Sequence, residues 1–304
     1  MFYHLDVNFR PYEKKDMPLI AEYLERIRTD SYFYSPLYIE IWNDAKLFHI
    51  CEGTHGLYLH SRKDNAFFLP FSSDMDNAIN ELAALAREDG LDYVICPASE
   101  DIMPASLDAS FIVERQSCYD EYLYERERLE TLKGKDLQSK RNHIARFKRE
   151  VQNPIIRKIE KSDFPELLSL AREIIQKMPG EMLQSLEDEF SALSNALELW
   201  DNFNLDGCLI EADGRILAYT IAEIRRNTAI IHFEKARQEI QGSYQMINQE
   251  YVKSLPPEVS IINRQEDLGL EGLRKAKLSY KPMGFIRKYR ITKHDSLIMS
   301  DNSH

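Results

Sequence analysis

The most distinctive residue pattern in the chain combines cations with leucines in the segment 263–282, NRQEDLGLEGLRKAKLSYKP. A helix that begins near the middle of this segment places four residues on one face, at spacings of three, four and seven: Leu270, Leu273, Arg274 and Lys277. The leucines predict that this face packs towards the interior. A buried cation without a partner is costly, so each cation needs a carboxylate, a phosphate or an anionic ligand.

Two acids, Glu266 and Asp267, precede this helix and are natural partners for its cations. One interpretation is catalytic: Arg274 and Lys277 bind a donor phosphate or stabilise a developing oxyanion, and Asp267 acts as a base or orients the acceptor. In this interpretation Asn263 and Glu266 bind substrate. The other interpretation is structural, with an internal ion-pair network or with aliphatic stems that carry the charges to solvent.

The strand-like segment Ala229–Ala236, AIIHFEKA, supplies a further candidate base. Period-two geometry turns His232 and Glu234 to the same side, opposite Phe233. A carboxylate beside a cleft can take a proton from an attacking amine when partial burial raises its pKa. Glu234 is therefore a catalytic candidate, with a cross-strand ion pair as the structural alternative. His232 is interpreted as a core histidine whose hydrogen bonds are satisfied.

Gly242, Ser243 and Tyr244 follow that strand and open the next helix. Glycine permits close approach of a ligand, serine can cap a helix, and the free N–H groups at a helix N-terminus attract an anion. We therefore predict that these three residues bind substrate and that Asn248, farther along the helix, reaches the same cleft. Core packing is the structural alternative for Tyr244.

A basic island occupies residues 133–151, KGKDLQSKRNHIARFKREV, in which seven of nineteen residues are lysine or arginine. Its apolar residues form one helical stripe, flanked by cations that include Lys140 and Arg141. These two are predicted to contact the phosphates of a transfer RNA end, a nucleotide or a phospholipid headgroup. A solvated helix that links two domains is the alternative.

Composition is typical of a globular protein and excludes several classes. The chain has 304 residues and a formal net charge of −11, which argues against non-specific nucleic-acid binding over the whole surface. No apolar run approaches the ~20 residues that span a bilayer, and the first residues lack the apolar core of a signal peptide. We therefore expect a cytoplasmic protein that is not integral to a membrane. The four cysteines form no CxxC motif and the histidines do not cluster, so no metal site is predicted.

The same order of elements occurs twice: a strand, two helices, three meandering strands, a helix, a strand, a helix and a strand. Residues 10–18 match residues 157–165 at five of nine positions with a constant offset of 147. A generic helix start explains two of the five, so the other three favour an internal duplication. We therefore predict an N-terminal domain over 1–126, mainly structural, and a C-terminal domain over 127–304, with a basic linker helix at 135–151 and the candidate site.

This order of elements resembles the GNAT (acyl-CoA N-acyltransferase) fold, and two such units in tandem resemble the Fem-type aminoacyl transferases. The segments 134–149, 231–236, 242–251 and 263–282 are similar to the C-terminal domain of the phosphatidylglycerol lysyltransferase family. The resemblance implies an α/β fold of two tandem GNAT-like units, each a mixed, mostly antiparallel sheet flanked by helices. It also implies transfer of an aminoacyl or acyl group to an amine or a hydroxyl.

Three functions are compatible with this resemblance. The leading hypothesis is an aminoacyl- or acyltransferase, with aminoacyl-tRNA or acyl-CoA as donor and a small molecule or a headgroup as acceptor. The second is an acetyl-CoA-dependent N-acetyltransferase. Against it, Glu239 and Tyr244 occupy the ends of the motif that holds the CoA diphosphate in GNAT enzymes, where Arg or Gln and a small residue are usual. The third is a non-catalytic ligand- or RNA-binding module on the same scaffold.

Overall fold

The computed structural model describes residues 8–105, 107–177 and 183–293. It divides the chain into two compact units. The first unit contains the described residues up to Asp120 and from Ile286 onward, and the second is Glu121–Phe285.

The strands of the described residues are β1 (Arg10–Pro11), β2 (Phe48–Glu52), β3 (Leu57–Ser61), β4 (Ala66–Phe67), β5 (Val94–Ser99), β6 (Phe111–Arg115), β7 (Glu121–Glu125), β8 (Ile155–Lys158), β9 (Leu205–Ala212), β10 (Arg215–Arg225), β11 (Thr228–Ala236), β12 (Ile261–Asn263), β13 (Gly284–Ile286) and β14 (Lys288–Lys293). The α-helices in the same ranges are α1 (Met17–Glu25), α2 (Pro36–Lys46), α3 (Met75–Glu88), α4 (Arg126–Thr131), α5 (Gln138–Glu150), α6 (Phe164–Gln176), α7 (Leu183–Glu198), α8 (Ser243–Ser254) and α9 (Glu271–Leu278).

The sheet of the second unit has the strand order β13-β7-β12-β11-β10-β9-β8. Its longest strands, β9, β10 and β11, form an antiparallel meander. Asp213 and Gly214 connect β9 to β10 with φ of 52° and 74°, the positive values that a two-residue hairpin loop requires. Strand β12 then pairs with β11 in parallel, because the chain returns to the same edge through helix α8.

The sheet of the first unit has the order β1-β2-β3-β4-β5-β14-β6, and it also contains one parallel pair, β4 with β5. Each sheet contains one strand from the other half of the sequence, next to the last strand at one edge: β14 in the first unit and β7 in the second. The two units therefore differ from the predicted domains 1–126 and 127–304 at two places in the sequence. Strand β7 bonds to β12 and belongs to the second unit, whereas β14 bonds to β5 and β6 and belongs to the first.

The repeated sequence motif makes the same contacts in both units. Arg10 donates to both carboxylate oxygens of Asp16 at 2.8 and 2.6 Å, and Arg157 donates to both oxygens of Asp163 at 2.7 and 2.8 Å. In each copy, the aspartate also accepts from a backbone N–H three residues earlier, which closes a capping box. The equivalent geometry explains why the arginine, glutamate and aspartate recur at the offset of 147.

Helix α8 packs on the sheet of the second unit through a fully buried apolar face that includes Ile247, Tyr251 and Val252. Phe147 of helix α5 and Leu137, the residue before the helix, belong to the same core. The predicted linker helix is therefore an integral layer of the second unit. Within the described ranges, no helix combines the length and apolar character needed to cross a bilayer.

Candidate active site

Strands β11 and β12 pair over only three residues and then separate. The parallel pairing ends at Ile230 and Asn263, whereas β11 continues to Ala236 and keeps its pairing with β10 on the other side. An ion pair lies across the resulting gap: Arg264 Nη2 donates to Glu234 Oε1 at 2.8 Å, and the two side chains are 14% and 10% exposed. The end of the short parallel pair therefore brings a largely buried carboxylate and a guanidinium together.

Glu234 is held by two further donors. Asn248 Nδ2 lies 3.2 Å and Thr220 Oγ1 lies 3.4 Å from Glu234 Oε2. Asn248 projects from helix α8 and is fully buried, and no group in the described residues bonds to its Oδ1. Glu234 and Asn248, two separately predicted site residues, thus contact each other, and no group in the described residues bonds to the amide oxygen of Asn248.

Arg264 lies against two tyrosine rings. Its Cζ is 4.9 Å from the ring centre of Tyr280 and 5.9 Å from that of Tyr124. Burial disfavours the charge, but Glu234 and the two rings outweigh it, so the pKa of Arg264 is raised. Nη1 is buried and has no hydrogen-bond partner among the described residues. One N–H-bearing corner of the guanidinium is therefore unused.

Lys140 reaches the same ring from helix α5. Its Nζ lies 4.3 Å from the ring centre of Tyr280, and the residue is only 8% exposed. Burial, reinforced by the charge of Arg264, lowers the pKa of Lys140. Arg141, its predicted companion, donates to the carbonyls of Leu132 and Gly134 in the turn before α5, and its phosphate contact stays a prediction.

Asp267 is fully buried and fixes the loop that joins β12 to α9. It accepts hydrogen bonds from Tyr122 Oη at 2.6 Å, Gly269 N at 2.8 Å, and Arg274 Nε and Nη2 at 2.8 and 3.0 Å. Burial acts to raise its pKa, but these donors prevail and the pKa of Asp267 is lowered. Such a carboxylate is a poor base, so the geometry favours the structural interpretation of the Asp267–Arg274 pair.

The loop that Asp267 fixes contains three residues with positive φ: Gln265 at 55°, Leu268 at 52° and Gly269 at 77°. For a non-glycine residue this conformation is unfavourable, and such residues concentrate at functional sites. The carboxylate therefore compensates strained backbone directly beside Arg264.

Lys277 also supports the loop between β12 and α9. Its Nζ donates to the backbone oxygen of Arg264 at 2.6 Å and to that of Glu266. Burial lowers the pKa of Lys277 from 10.5 to about 8. These contacts give Lys277 a role in supporting the loop, and its predicted role in binding a donor phosphate stays a prediction.

The predicted inward face of α9 is half correct. Lys277 turns inward at 7% exposed, and the Arg274 guanidinium contacts a buried carboxylate although the Arg274 side chain is 39% exposed. Leu270 and Leu273 are 39% and 38% exposed, so they do not join the buried core. Carbonyls and a carboxylate in the 264–270 loop give the cations better partners than the leucines find there.

The helix start at Gly242 is covered by protein. A Cβ on Gly242 would lie 2.2 Å from the carbonyl oxygen of His143 on α5, and Ser243 is buried and donates to the carbonyls of Arg237 and Ile240. Tyr244 packs against the core of the unit. These contacts give the three residues packing roles, and α5 lies directly against Gly242. Their substrate-binding role stays a prediction.

The remaining predicted residues, Asn263 and Glu266, make contacts within the second unit. Asn263 is fully buried, donates to Glu121 Oε2 at 2.5 Å and accepts from Gln265 N. Glu266 contributes its backbone oxygen to Lys277. As predicted, His232 is a buried histidine, with Glu223 and Gln265 within 3.3 Å of its two ring nitrogens.

The sequence interpretation missed Arg264, Tyr280 and Tyr124. Arg264 directly follows the strand end at Asn263, where a cation is equally compatible with solvent. Tyr280 lies three residues after Lys277, a spacing that would put both on one face of a longer helix, but α9 ends at Leu278. Tyr124 is recognisable only once β7 is assigned to the second unit.

Comparison with known proteins gives a family match over most of the chain. The family model described as "Phosphatidylglycerol lysyltransferase, C-terminal" matches residues 26–292. A curated, uncharacterised protein of Mycoplasmoides gallisepticum is 27% identical over 181 residues, which are 56% of this chain and 55% of the relative. The chain thus spans about half the length of that relative.

Two solved structures extend the comparison. A conserved protein of unknown function from Bacteroides thetaiotaomicron is 28% identical with a TM-score of 0.84, and the match covers 95% of this chain and 100% of that one. The structure of L-PGS from Bacillus licheniformis is 12% identical with a TM-score of 0.63 and covers 96% and 95%, a likeness of fold alone. The predicted fold class and family resemblance are confirmed.

Proposed function

The chain belongs to the phosphatidylglycerol lysyltransferase C-terminal family, and we propose that it transfers an activated aminoacyl group to an amine or a hydroxyl. Family and fold support an acyl- or aminoacyltransferase of the GNAT type. The observation that carries the finer proposal is the Glu234–Arg264 pair in the gap between β11 and β12. Aminoacyl-tRNA is the proposed donor, and a small molecule or a lipid headgroup is the proposed acceptor.

Glu234 is the proposed base. The acceptor nitrogen or oxygen attacks the carbonyl carbon of the donor ester, and Glu234 takes the proton that the attacking atom loses. The ester C–O bond then breaks, and the departing ribose oxygen receives that proton. Arg264, Asn248 and Thr220 hold the Glu234 carboxylate in one orientation, which favours attack from a single direction.

The covered helix start at Gly242 argues against the acetyl-CoA alternative. In a CoA-dependent GNAT enzyme, that helix N-terminus holds the donor diphosphate, whereas here the His143 carbonyl lies against it. Beside it, Arg237 bonds to Glu173 at 2.5 Å and lies 3.9 Å from Glu239. An anion would compete with both carboxylates for Arg237, so this position is unfavourable for binding the donor diphosphate.

The test is a transfer assay on the full chain. Transfer RNAs charged with radiolabelled amino acids, lysine first, are incubated with amine and headgroup acceptors, and labelled product is measured above spontaneous hydrolysis. Glu234→Gln should reduce the rate about 100-fold or more, as loss of a general base does. Glu271→Gln is the matched control, because Glu271 is 79% exposed and pairs only with Lys275 in the described residues.

Two results would refute the proposal. A folded Glu234→Gln variant that transfers at the wild-type rate would remove Glu234 from the chemistry. Transfer from acetyl-CoA, with none from any charged transfer RNA, would establish the CoA-dependent reaction instead. Far-ultraviolet circular dichroism of each variant separates loss of folding from loss of chemistry.

A further inference from the structure

Lys140 is a buried cation without a counter-charge. It lies on the inner face of α5 between the buried Leu137 and Ile144. No carboxylate, carbonyl or hydroxyl group in the described residues accepts a hydrogen bond from its Nζ, and Tyr280 is the group that it contacts. A cation–π contact offsets only part of the cost of removing an ammonium ion from water.

A second cation makes this arrangement less favourable still. Arg264 lies against the same Tyr280 ring, within 5 Å of its centre, and its charge acts on Lys140 in the same sense as burial does. Glu234 neutralises Arg264 but accepts a hydrogen bond only from its Nη2. Arg264 Nη1 therefore remains buried without a partner in the described residues. Neither Lys140 Nζ nor Arg264 Nη1 thus has an acceptor in the described residues, and of the two only Nη1 is fully enclosed, since solvent still reaches Lys140 Nζ. A ligand that reached both groups would supply the acceptor that Nη1 lacks.

We propose that Lys140 Nζ and Arg264 Nη1 together bind one phosphate group of a ligand. Arg264 offers only the NH2 group of Nη1 here, because Nη2 is committed to Glu234, so the Nη1–Nη2 edge cannot form the two-pronged contact that favours a carboxylate. An ammonium ion acts as a point charge and suits a phosphate oxygen. The proposal rests on the proposed function for its meaning: the phosphate belongs to the donor, whose ester then lies beside Glu234.

The first experiment measures phosphate binding without any reaction. The melting temperature of the full chain is recorded against inorganic phosphate at constant ionic strength, and the dissociation constant follows from its concentration dependence. Lys140→Met should weaken phosphate binding about 10- to 100-fold, the range for loss of a charge-assisted hydrogen bond. Without phosphate, the same variant should melt at a higher temperature than wild type, because an unpaired buried charge is gone.

Lys148→Met is the matched control. Lys148 lies on the same helix but is exposed, so its replacement should leave both the phosphate affinity and the melting temperature unchanged. If Lys140→Met does not fold, Lys140→Arg keeps the charge and should retain phosphate binding within about threefold. Equal phosphate affinity in wild type and Lys140→Met overturns the proposal, as does an equal effect of Lys148→Met or equal stabilisation by acetate.

The source of the phosphate is resolved by two further ligands. The trinucleotide cytidylyl-cytidylyl-adenosine represents the end of a transfer RNA, and coenzyme A represents the other donor class. Tighter binding of the trinucleotide than of inorganic phosphate, lost in Lys140→Met, supports an RNA-borne donor; the same behaviour with coenzyme A alone supports a CoA donor. Glu234→Gln should bind phosphate at least as tightly as wild type, so this site and the proposed base can fail independently.

Discussion

Replacing Gly242 by alanine should destabilise the second unit by about 2–5 kcal/mol. The new Cβ would lie 2.2 Å from the His143 carbonyl oxygen and 3.1 Å from Phe147 Cβ, and the residue has a φ of 87°. The left-handed conformation costs alanine about 1–2 kcal/mol. Forcing α5 away from α8 adds about 1–3 kcal/mol, as overpacking of a core does.

Two other glycines separate these contributions. Gly214 has a φ of 74° and open space around it, so Gly214→Ala should show only the backbone cost of about 1–2 kcal/mol. Gly272 lies in α9 with open space and without a positive φ. Gly272→Ala should therefore stabilise the protein by up to about 1 kcal/mol.

The assay is urea unfolding of the full chain, with the free energy taken from the midpoint and the slope of the transition. The chain has two tryptophans, and only Trp200 belongs to the second unit. A Trp42→Phe background makes its fluorescence report on that unit. If Gly242→Ala costs no more than Gly214→Ala, then α5 does not cover the helix start, and the argument against a CoA diphosphate there is lost.

Two further predictions concern Asp267 and Lys277, which bond to the backbone of the 264–270 loop. Asp267→Ala removes the acceptor of Tyr122 Oη and Gly269 N and should lower the free energy of unfolding by about 2–4 kcal/mol in the same urea assay. The control Glu271→Ala should lower it by less than about 0.5 kcal/mol. Equal losses in the two variants would contradict the role of Asp267. Lys277 binds its proton less tightly in the folded state, with a pKa of about 8 against 10.5, so the unfolded state holds more protons between these values. Wild type should therefore gain stability relative to Lys277→Met as the pH rises from about 8 to 10.5, by up to about 3 kcal/mol; a difference that is flat or falls with pH would contradict this burial.

The repeat was predictable because its residues act locally. Arg157, Glu160 and Asp163 interact within seven residues of each other, so the spacing alone carries the geometry. The sheet assignment of β7 and β14 was not predictable in this way. A strand's own alternation determines which side chains are buried, but not which distant edge its backbone groups bond to. The predicted domains therefore each contained one strand, β7 or β14, that belongs to the other unit.

The same distinction applies to the candidate site. Glu234 was identified from a polar residue on an apolar strand, and Lys140 from a cation beside an apolar stripe, both of which are local patterns. Arg264 was missed because its importance depends on where β11 and β12 stop pairing, a property of two distant segments. The packing role of Gly242 was missed for a related reason: its φ is local, but the His143 carbonyl that requires the glycine comes from α5.

Helix α9 shows why a broken pattern marks a site better than a kept one. Hydrophobic periodicity assumes that the interior offers only apolar contacts, yet the 264–270 loop offers carbonyl oxygens and a buried carboxylate. Lys277 and Arg274 satisfy these groups, and Leu273 is left 38% exposed as a result. Gln265 and Leu268 in this loop have positive φ, and Lys277 bonds to the backbone oxygen of Arg264, whose side chain pairs with Glu234. The sequence rule therefore fails at the element that positions the proposed chemistry, as expected where function and folding compete.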